Sequence, residues 1–382
     1  MKKIFIPVIL LLLTLSGIFY VFINYPDKII AKKNLKFSIN KEKTESSGSS
    51  DKDKTGANSP TNKPDAKKET LTISFGGDVL LDKGVANAIK QYGSKFILSG
   101  VKPVLSGSDI SMVNLECPVS ERGTKAQDKQ FTFRAKPSSL DVLTSAGVDI
   151  VTLANNHILD YGRDALSDTL SYLDHAQLKH VGAGLNIDKA SMPQYFNING
   201  FKIAIFGSSH VIPVTDWTAG KNKSGVATTY DPTRLLSEIQ SAKKNADIVV
   251  VYVHWGTERA TKPDGYQRNL AKKYIDSGAD LVIGSHPHVL QGFEYYNNKL
   301  IVYSLGNFVF TNIKNDTMIV NVTFNKDKSF NASVTPCAIE NCRPVILKDS
   351  RKQLALFNNL QKLSFDTQID KSGIISPLKK KN

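Results

Sequence analysis

Six short apolar runs, Leu71–Phe75, Ile110–Val113, Ile150–Leu153, Lys202–Phe206, Ile248–Val253 and Leu281–Ile283, recur along the middle of this chain. Each is too short for a helix and too continuous for a half-exposed strand, so they read as strands buried on both faces. Between them lie stretches of helical pattern with end signals: Ser138–Ala146 closed by Gly147, Arg163–Ala176, and Pro232–Asn245 with Asp231 as its N-cap and proline in the first turn. Strand and helix in alternation predict an α/β fold. Further on, Leu300–Leu305, Thr317–Phe324 and Phe330–Ile339 read as a strand-rich closing half or second sheet, and Gln353–Leu363 carries a weak helical signal.

The residues at the ends of these strands are not ordinary turn sequence. The first strand runs into GGD with Asp78, the second into NLE with Asn114 and Glu116, and the third into ANNH with Asn155, Asn156 and His157. The fifth ends in HWGTE with His254 and the sixth in GSHPH with His286 and His288. In α/β sheets ligands gather beyond the carboxyl ends of the strands, so residues this scattered in sequence can meet at one site. Two carboxylates, an amide oxygen and three imidazoles form a mixed oxygen and nitrogen set that suits Mn, Fe or Zn better than Ca or Mg. The set is large enough for one ion or for two sharing a carboxylate, and His157, beside the amide, is then free to act as a general acid. Singly, each residue has a plain structural reading, the Asp and Asn as turn or cap residues and His254 as a core histidine. The histidine pair around Pro287 resists that reading best, because a rigid turn at this spacing holds two ligands. His175, His180 and His210 are assigned to surface or packing, with His210 close to a strand end.

The chain ends carry different information. After Met1, Lys2 and Lys3 an uncharged apolar run from Ile4 to Ile23 is long enough, at about 1.5 Å per residue, to cross a bilayer core of about 30 Å. No small-x-small site comes after it, which favours a retained anchor over a cleaved signal peptide. From about Lys36 to Thr70 the chain is polar and nearly free of apolar residues, the composition of a flexible tether. The expected organisation is an anchor at 1–24, a linker at 25–70, a folded domain at 71–345 and a C-terminal tail at 346–382. The formal charge is +14, but eleven Lys against seven acids fall between Asp27 and Glu69, outside the folded domain, so a nucleic-acid partner is not expected. Cys337 and Cys342 are near enough in sequence for a local disulfide, with Cys117 left over.

Taken in order, GDVLLDKG, VNLECPVS, LANNHILDYG, VHWGTE, GADLVIGSHPHVLQG and YSLGNFVF resemble the blocks of the CapA-type poly-γ-glutamate capsule synthesis proteins. That family is similar to the calcineurin-like metallophosphoesterases. The resemblance implies a four-layer α/β/β/α sandwich behind an N-terminal transmembrane helix, with metal at the strand ends. It implies metal ligation by Asp78, Glu116 (as the shared carboxylate), Asn156, His254, His286 and His288. His157 would be the catalytic acid, with Asn114, Asn155 and Asn307 in support. The wider superfamily opens with Asp-x-His, whereas this chain has Asp78-Val79-Leu80 and so lacks one ligand of the first metal. The resemblance further implies a place at the cell membrane with the bulk of the chain outside, working with membrane polyglutamate synthase subunits and the anionic polymer. Three activities are expected on this basis: a metal-dependent hydrolase or transferase, a non-catalytic accessory subunit that binds nascent polymer, and, by superfamily analogy alone, a nucleotide phosphohydrolase.

Overall fold

The structure, a computed structural model, describes residues 69–127, 129–311 and 315–379. The expected anchor at 1–24 and all of the linker except residues 69 and 70 lie outside them. Among the described residues no helix is long and apolar enough to cross a membrane.

Two sheets carry the fold. The first, of ten strands, runs β17 (Thr367–Ile369), β18 (Ile374–Pro377), β15 (Phe330–Glu340), β14 (Asp316–Asn325), β1 (Thr70–Val79), β2 (Ile110–Leu115), β3 (Ile150–Thr152) and β4 (Lys179–Val181). β13 (Asn307–Val309) pairs with β1, and β16 (Arg343–Ile346) with β15. The second, of six strands, runs β11 (Phe293–Tyr296), β12 (Lys299–Val302), β10 (Leu281–Ser285), β9 (Ile248–His254), β7 (Phe201–Ser209) and β6 (Gln194–Ile198). β5 (Ala183–Gly184) and β8 (Gly225–Val226) form a small ribbon apart. β1 to β4 are mutually parallel, as are β7, β9, β10 and β12. The strands expected from the apolar runs are all present, and they are the parallel centre of each sheet.

Burial explains the layering. Alternate residues of the parallel strands, such as Ile73, Phe75 and Met112 of the first sheet and Ile205, Val250 and Ile283 of the second, fill a common core between the sheets. Their other faces meet helices. Val113, Leu115 and Val151 pack with Leu166, Leu170 and Leu173 of helix Gly162–His175, while Phe206, Val251 and Val282 pack with residues of Thr233–Lys243 and Gly265–Asp276. Strands covered on both faces must be apolar throughout, which is why they stand in the sequence as unbroken runs.

Several local expectations are refined. Helix Thr233–Lys243 starts two residues after Asp231, whose Oδ1 accepts the Thr233 N–H at 3.0 Å. The stretch 138–146 is a 3-10 turn, Pro137–Leu140, followed by one α turn, Asp141–Thr144. The strand-rich closing half is divided between the sheets: Leu300–Leu305 supplies β12 to the second, while β14 pairs antiparallel with β1 and β15 with β14, extending the first. Beyond residue 346, helix Ser350–Leu363 buries Leu356, Phe357 and Leu360 in the core between the sheets, and β17 and β18 complete the first sheet's edge. All three cysteines are free thiols, since Cys337 faces Ile346 across the β15–β16 hairpin and Cys342 lies in its turn.

Candidate metal centre

The two sets of parallel strands end side by side. β1 is bulged where it reaches the site: Phe75 pairs with Met112 but Asp78 with Asn114, three residues on one strand against two on the other. A bulge re-aims the side chain beyond it. Here it presents Asp78 between Asn114 of β2 and Asn307 of β13. Gly77 makes the approach possible, because a Cβ there would lie 2.0 Å from the Gly306 carbonyl oxygen. Across the sheets the Tyr252 hydroxyl donates to the Gly76 carbonyl at 2.9 Å, tying the second sheet to this bulge.

Asn114 Nδ2 donates to Asp78 Oδ1 at 2.8 Å and lies 3.3 Å from Glu116 Oε2. Asn155 Nδ2 in turn donates to Asn114 Oδ1 at 3.0 Å, and its Oδ1 accepts the His157 N–H at 3.0 Å. These two amides hold the carboxylates and the ANNH turn in register. His254 at the end of β9 rests its Nδ1 3.1 Å from Ser285 Oγ and turns Nε2 inward. That nitrogen lies 2.9 Å from Asn156 Oδ1, 3.1 Å from His286 Nδ1 and 3.9 Å from Glu116 Oε1. His288 places Nδ1 3.5 Å from Asp78 Oδ2 and 2.9 Å from Asn307 Oδ1, and Nε2 3.8 Å from Glu116 Oε1. His286 and His288 both have left-handed backbone, φ 102° and 60°, a conformation that non-glycine residues keep only when their surroundings impose it.

Two groups result, Glu116 with His254 and His286, and Asp78 with Glu116 and His288; in each the ligand atoms lie within 4.8 Å of one another. Glu116 belongs to both. Its Oε1 is buried and has no hydrogen-bond partner, an expensive condition for a carboxylate oxygen unless a cation completes it. Electrostatics points the same way. Burial, then the charge of Asp78, pushes Glu116 well above the usual carboxylate range. Burial, then His286, keeps His254 well below the ordinary histidine value, and burial, then His288, takes His286 down to about 3, so both rings are neutral with lone pairs available. Burial opposes charge on His288 too, but Glu116 and Asp78 outweigh it and raise this ring to about 9. Burial likewise works against charge on Asp78, yet His288 and His254 bring it below its ordinary value. The pocket draws positive charge between two carboxylates, and a divalent cation fits that demand and this donor set. The histidine absent from the first motif has no substitute at its position, where Leu80 is buried; His288 reaches Asp78 from the other sheet.

His157 stands beside this cluster. Its Nδ1 lies 2.7 Å from Asp160 Oδ2, which also accepts the Phe133 N–H at 2.8 Å, and its ring packs against Phe133 with centroids 4.7 Å apart. Lys129 bonds Asp160 Oδ1 and the Asn156 carbonyl and approaches His157 Nδ1 at 3.0 Å. Burial lowers both His157 and Lys129 from their ordinary values against the pull of Asp160. Nε2 makes none of these bonds, and the residue lines the cleft. Lys129 and Asp160 escape a reading of the sequence. Asp160 stands three residues after His157, a spacing that reads as a turn, and Lys129 comes from a polar loop with no pattern to mark it. His210 stacks on Tyr266 at 4.4 Å, and its N–H donates to the His254 carbonyl; it is a packing residue next to the site.

Fold and site together define a two-sheet α/β protein whose strand ends enclose a buried cluster of carboxylates and imidazoles fitted to divalent metal. Residues 72–312 match the family described as bacterial capsule synthesis protein PGA_cap, and the chain belongs to that family. The PGA biosynthesis protein CapA of Bacillus subtilis (strain 168) is 36% identical over 300 residues, 77% of this chain and 78% of its own length. A probable polyglutamine synthesis accessory protein of Mycobacterium tuberculosis (strain ATCC 25618 / H37Rv) is 31% identical over 286 residues, 63% of this chain and 74% of its own. Among solved structures, the 5'-nucleotidase of Candida albicans SC5314 aligns over 70% of this chain and 52% of its own at 13% identity, with a TM-score of 0.40.

Proposed function

We propose that this capsule synthesis protein is a metal-dependent, phosphoesterase-like hydrolase or transferase. In this reading it is anchored in the membrane by residues 1–24, with the folded body outside the cell, and acts beside a membrane polyglutamate synthase in polymer synthesis, export or attachment. The observation that carries the reading is the orphaned buried oxygen of Glu116, shared by the two ligand groups. Asp78, Glu116, Asn156, His254, His286 and His288 hold Mn, Fe or Zn. When bound, such an ion supplies Lewis-acid polarisation of the scissile group and acidifies bound water. The chain's own residues do the rest. Asn114 and Asn155 fix the carboxylates, Asn307 orients His288, and Asp160 holds His157 by Nδ1 so that Nε2 delivers a proton to the leaving oxygen.

The mycobacterial relative's description as an accessory protein favours a second reading, a non-catalytic subunit that binds nascent polymer. His157→Gln separates the two in cells that make capsule. Loss of a positioned acid typically costs about a hundredfold to ten-thousandfold in rate, so polymer yield should collapse while protein level and metal content hold. Normal polymer from the stably expressed variant would leave the accessory reading in place.

A further inference from the structure

Beside the metal cluster opens a cleft of about 720 Å³ whose wall is mostly apolar. Three phenylalanines build it. Phe133 lies against His157, Phe310 stands 5.1 Å from the His288 ring, and Phe131 projects at the rim with 60% of its surface exposed. The rings that flank the two site histidines therefore continue outward as the cleft's own lining. Phe131 thus extends the apolar wall of Phe133 and Phe310 to the mouth of the cleft, where a ligand would bury it. Among the described residues the charges are few and, His288 apart, placed at the edge. Lys83 reaches over the Phe133 ring at 6.0 Å, and Arg259 is fastened by its N–H, 2.8 Å from the Pro287 carbonyl, to the turn that carries both histidines; exposed Glu258 is their neighbour.

A polyglutamate chain brings a carboxylate with every residue and little apolar surface, and a wall built on three aromatic rings with few charges among the described residues does not match it. Apolar aromatic walls with a few placed polar groups match a small molecule instead. Resting on the metal-site reading above, we propose that the group seated in this cleft is a planar aromatic or heteroaromatic ring, carried on the anionic group that enters the metal site, with Phe131 as its outer stacking face and Lys83 and Arg259 drawing in the anion. The substrate is thus a small ring-bearing anionic ester. The polymer strand is not what fills the cleft.

Phenylphosphonate and methylphosphonate, which share the anion and differ by the ring, test this by calorimetric titration of the full chain, once with chelator and once with Mn(II). The walls and the two cations owe nothing to metal. The metal-free protein should therefore bind phenylphosphonate about tenfold more tightly than methylphosphonate, the order expected for one stacked ring and its buried area. Phe131→Ala, at an exposed position, should erase that preference, and Phe131→Trp should keep it. Equal affinities, no detectable phenylphosphonate binding, or a preference untouched by Phe131→Ala would overturn the proposal. Mn(II) should strengthen binding of both phosphonates. A ring preference without that gain would sink the metal-site reading and leave the cleft assignment standing.

Discussion

Replacing Glu116 by Gln is the most informative single change, because it keeps the side chain's shape and removes the charge that both ligand groups share. An ion that binds only the folded state stabilises it by about 2.7 kcal/mol when present at a hundred times its Kd. A folded body of roughly 300 residues has an unfolding entropy of about 0.6 kcal/mol per degree. Saturating Mn(II) or Zn(II) should therefore raise the Tm of the natural protein by about 4 °C. The Gln variant should show no such rise. Its metal-free Tm should not fall, since Oε1 has no hydrogen bond to lose and burial already disfavours the carboxylate's charge there. Differential scanning calorimetry with and without metal reads both quantities. A variant that gains the same few degrees as the natural protein would refute the assignment of Glu116 as the shared ligand.

Gly77→Ala should destabilise the fold by about 1–3 kcal/mol and also lower metal uptake, because the added Cβ pushes β1 from β13 beside Asp78; chemical denaturation and metal analysis of one preparation check it. Glu294 is buried and receives Arg268, Lys272 and the Tyr303 hydroxyl, joining helix Gly265–Asp276 to the second sheet. Burial works against its charge but these partners outweigh it, so its folded value lies below the ordinary one. Its contribution is then fully present above the unfolded-state value and is lost as pH falls through the folded one. Glu294→Gln should cost about 2 kcal/mol at pH 7, with the difference from the natural protein narrowing below about pH 4; equal loss at every pH would show the effect is steric. Protease shaving of intact cells should release fragments of the body from residue 71 onward, and protection until lysis would rule out the outward orientation.

Much of the site is legible in the sequence because burial on both faces writes parallel strands as apolar runs, and the polar residues ending them stand out against that background. Asp78, Glu116, Asn156, His254, His286 and His288 meet as their strand-end positions imply. The bulge at Gly76 and Gly77 is not legible, since two glycines after a strand look like any turn and only register distinguishes a bulge. Lys129 and Asp160 are hidden for a different reason: their roles arise from a loop folding back on the ANNH turn, a long-range contact without periodicity. The C-terminal segment reads as a tail because helix Ser350–Leu363 follows polar sequence and stands apart from the strand runs, yet Leu356, Phe357 and Leu360 are enough to seat it in the core. The cysteine spacing leaves pairing open, because nearness in sequence says nothing of which residue faces which across a hairpin.

The central claim, that this capsule protein carries a metal site built from both sheets, is tested most directly by elemental analysis of the full-length chain after loading with Mn, Fe or Zn and removal of excess ion. At least one divalent ion should remain per chain, and exchanging His286 and His288 together for Ala should release most of it while the fold persists. A natural protein that retains none, or a double variant that retains as much, would contradict the account.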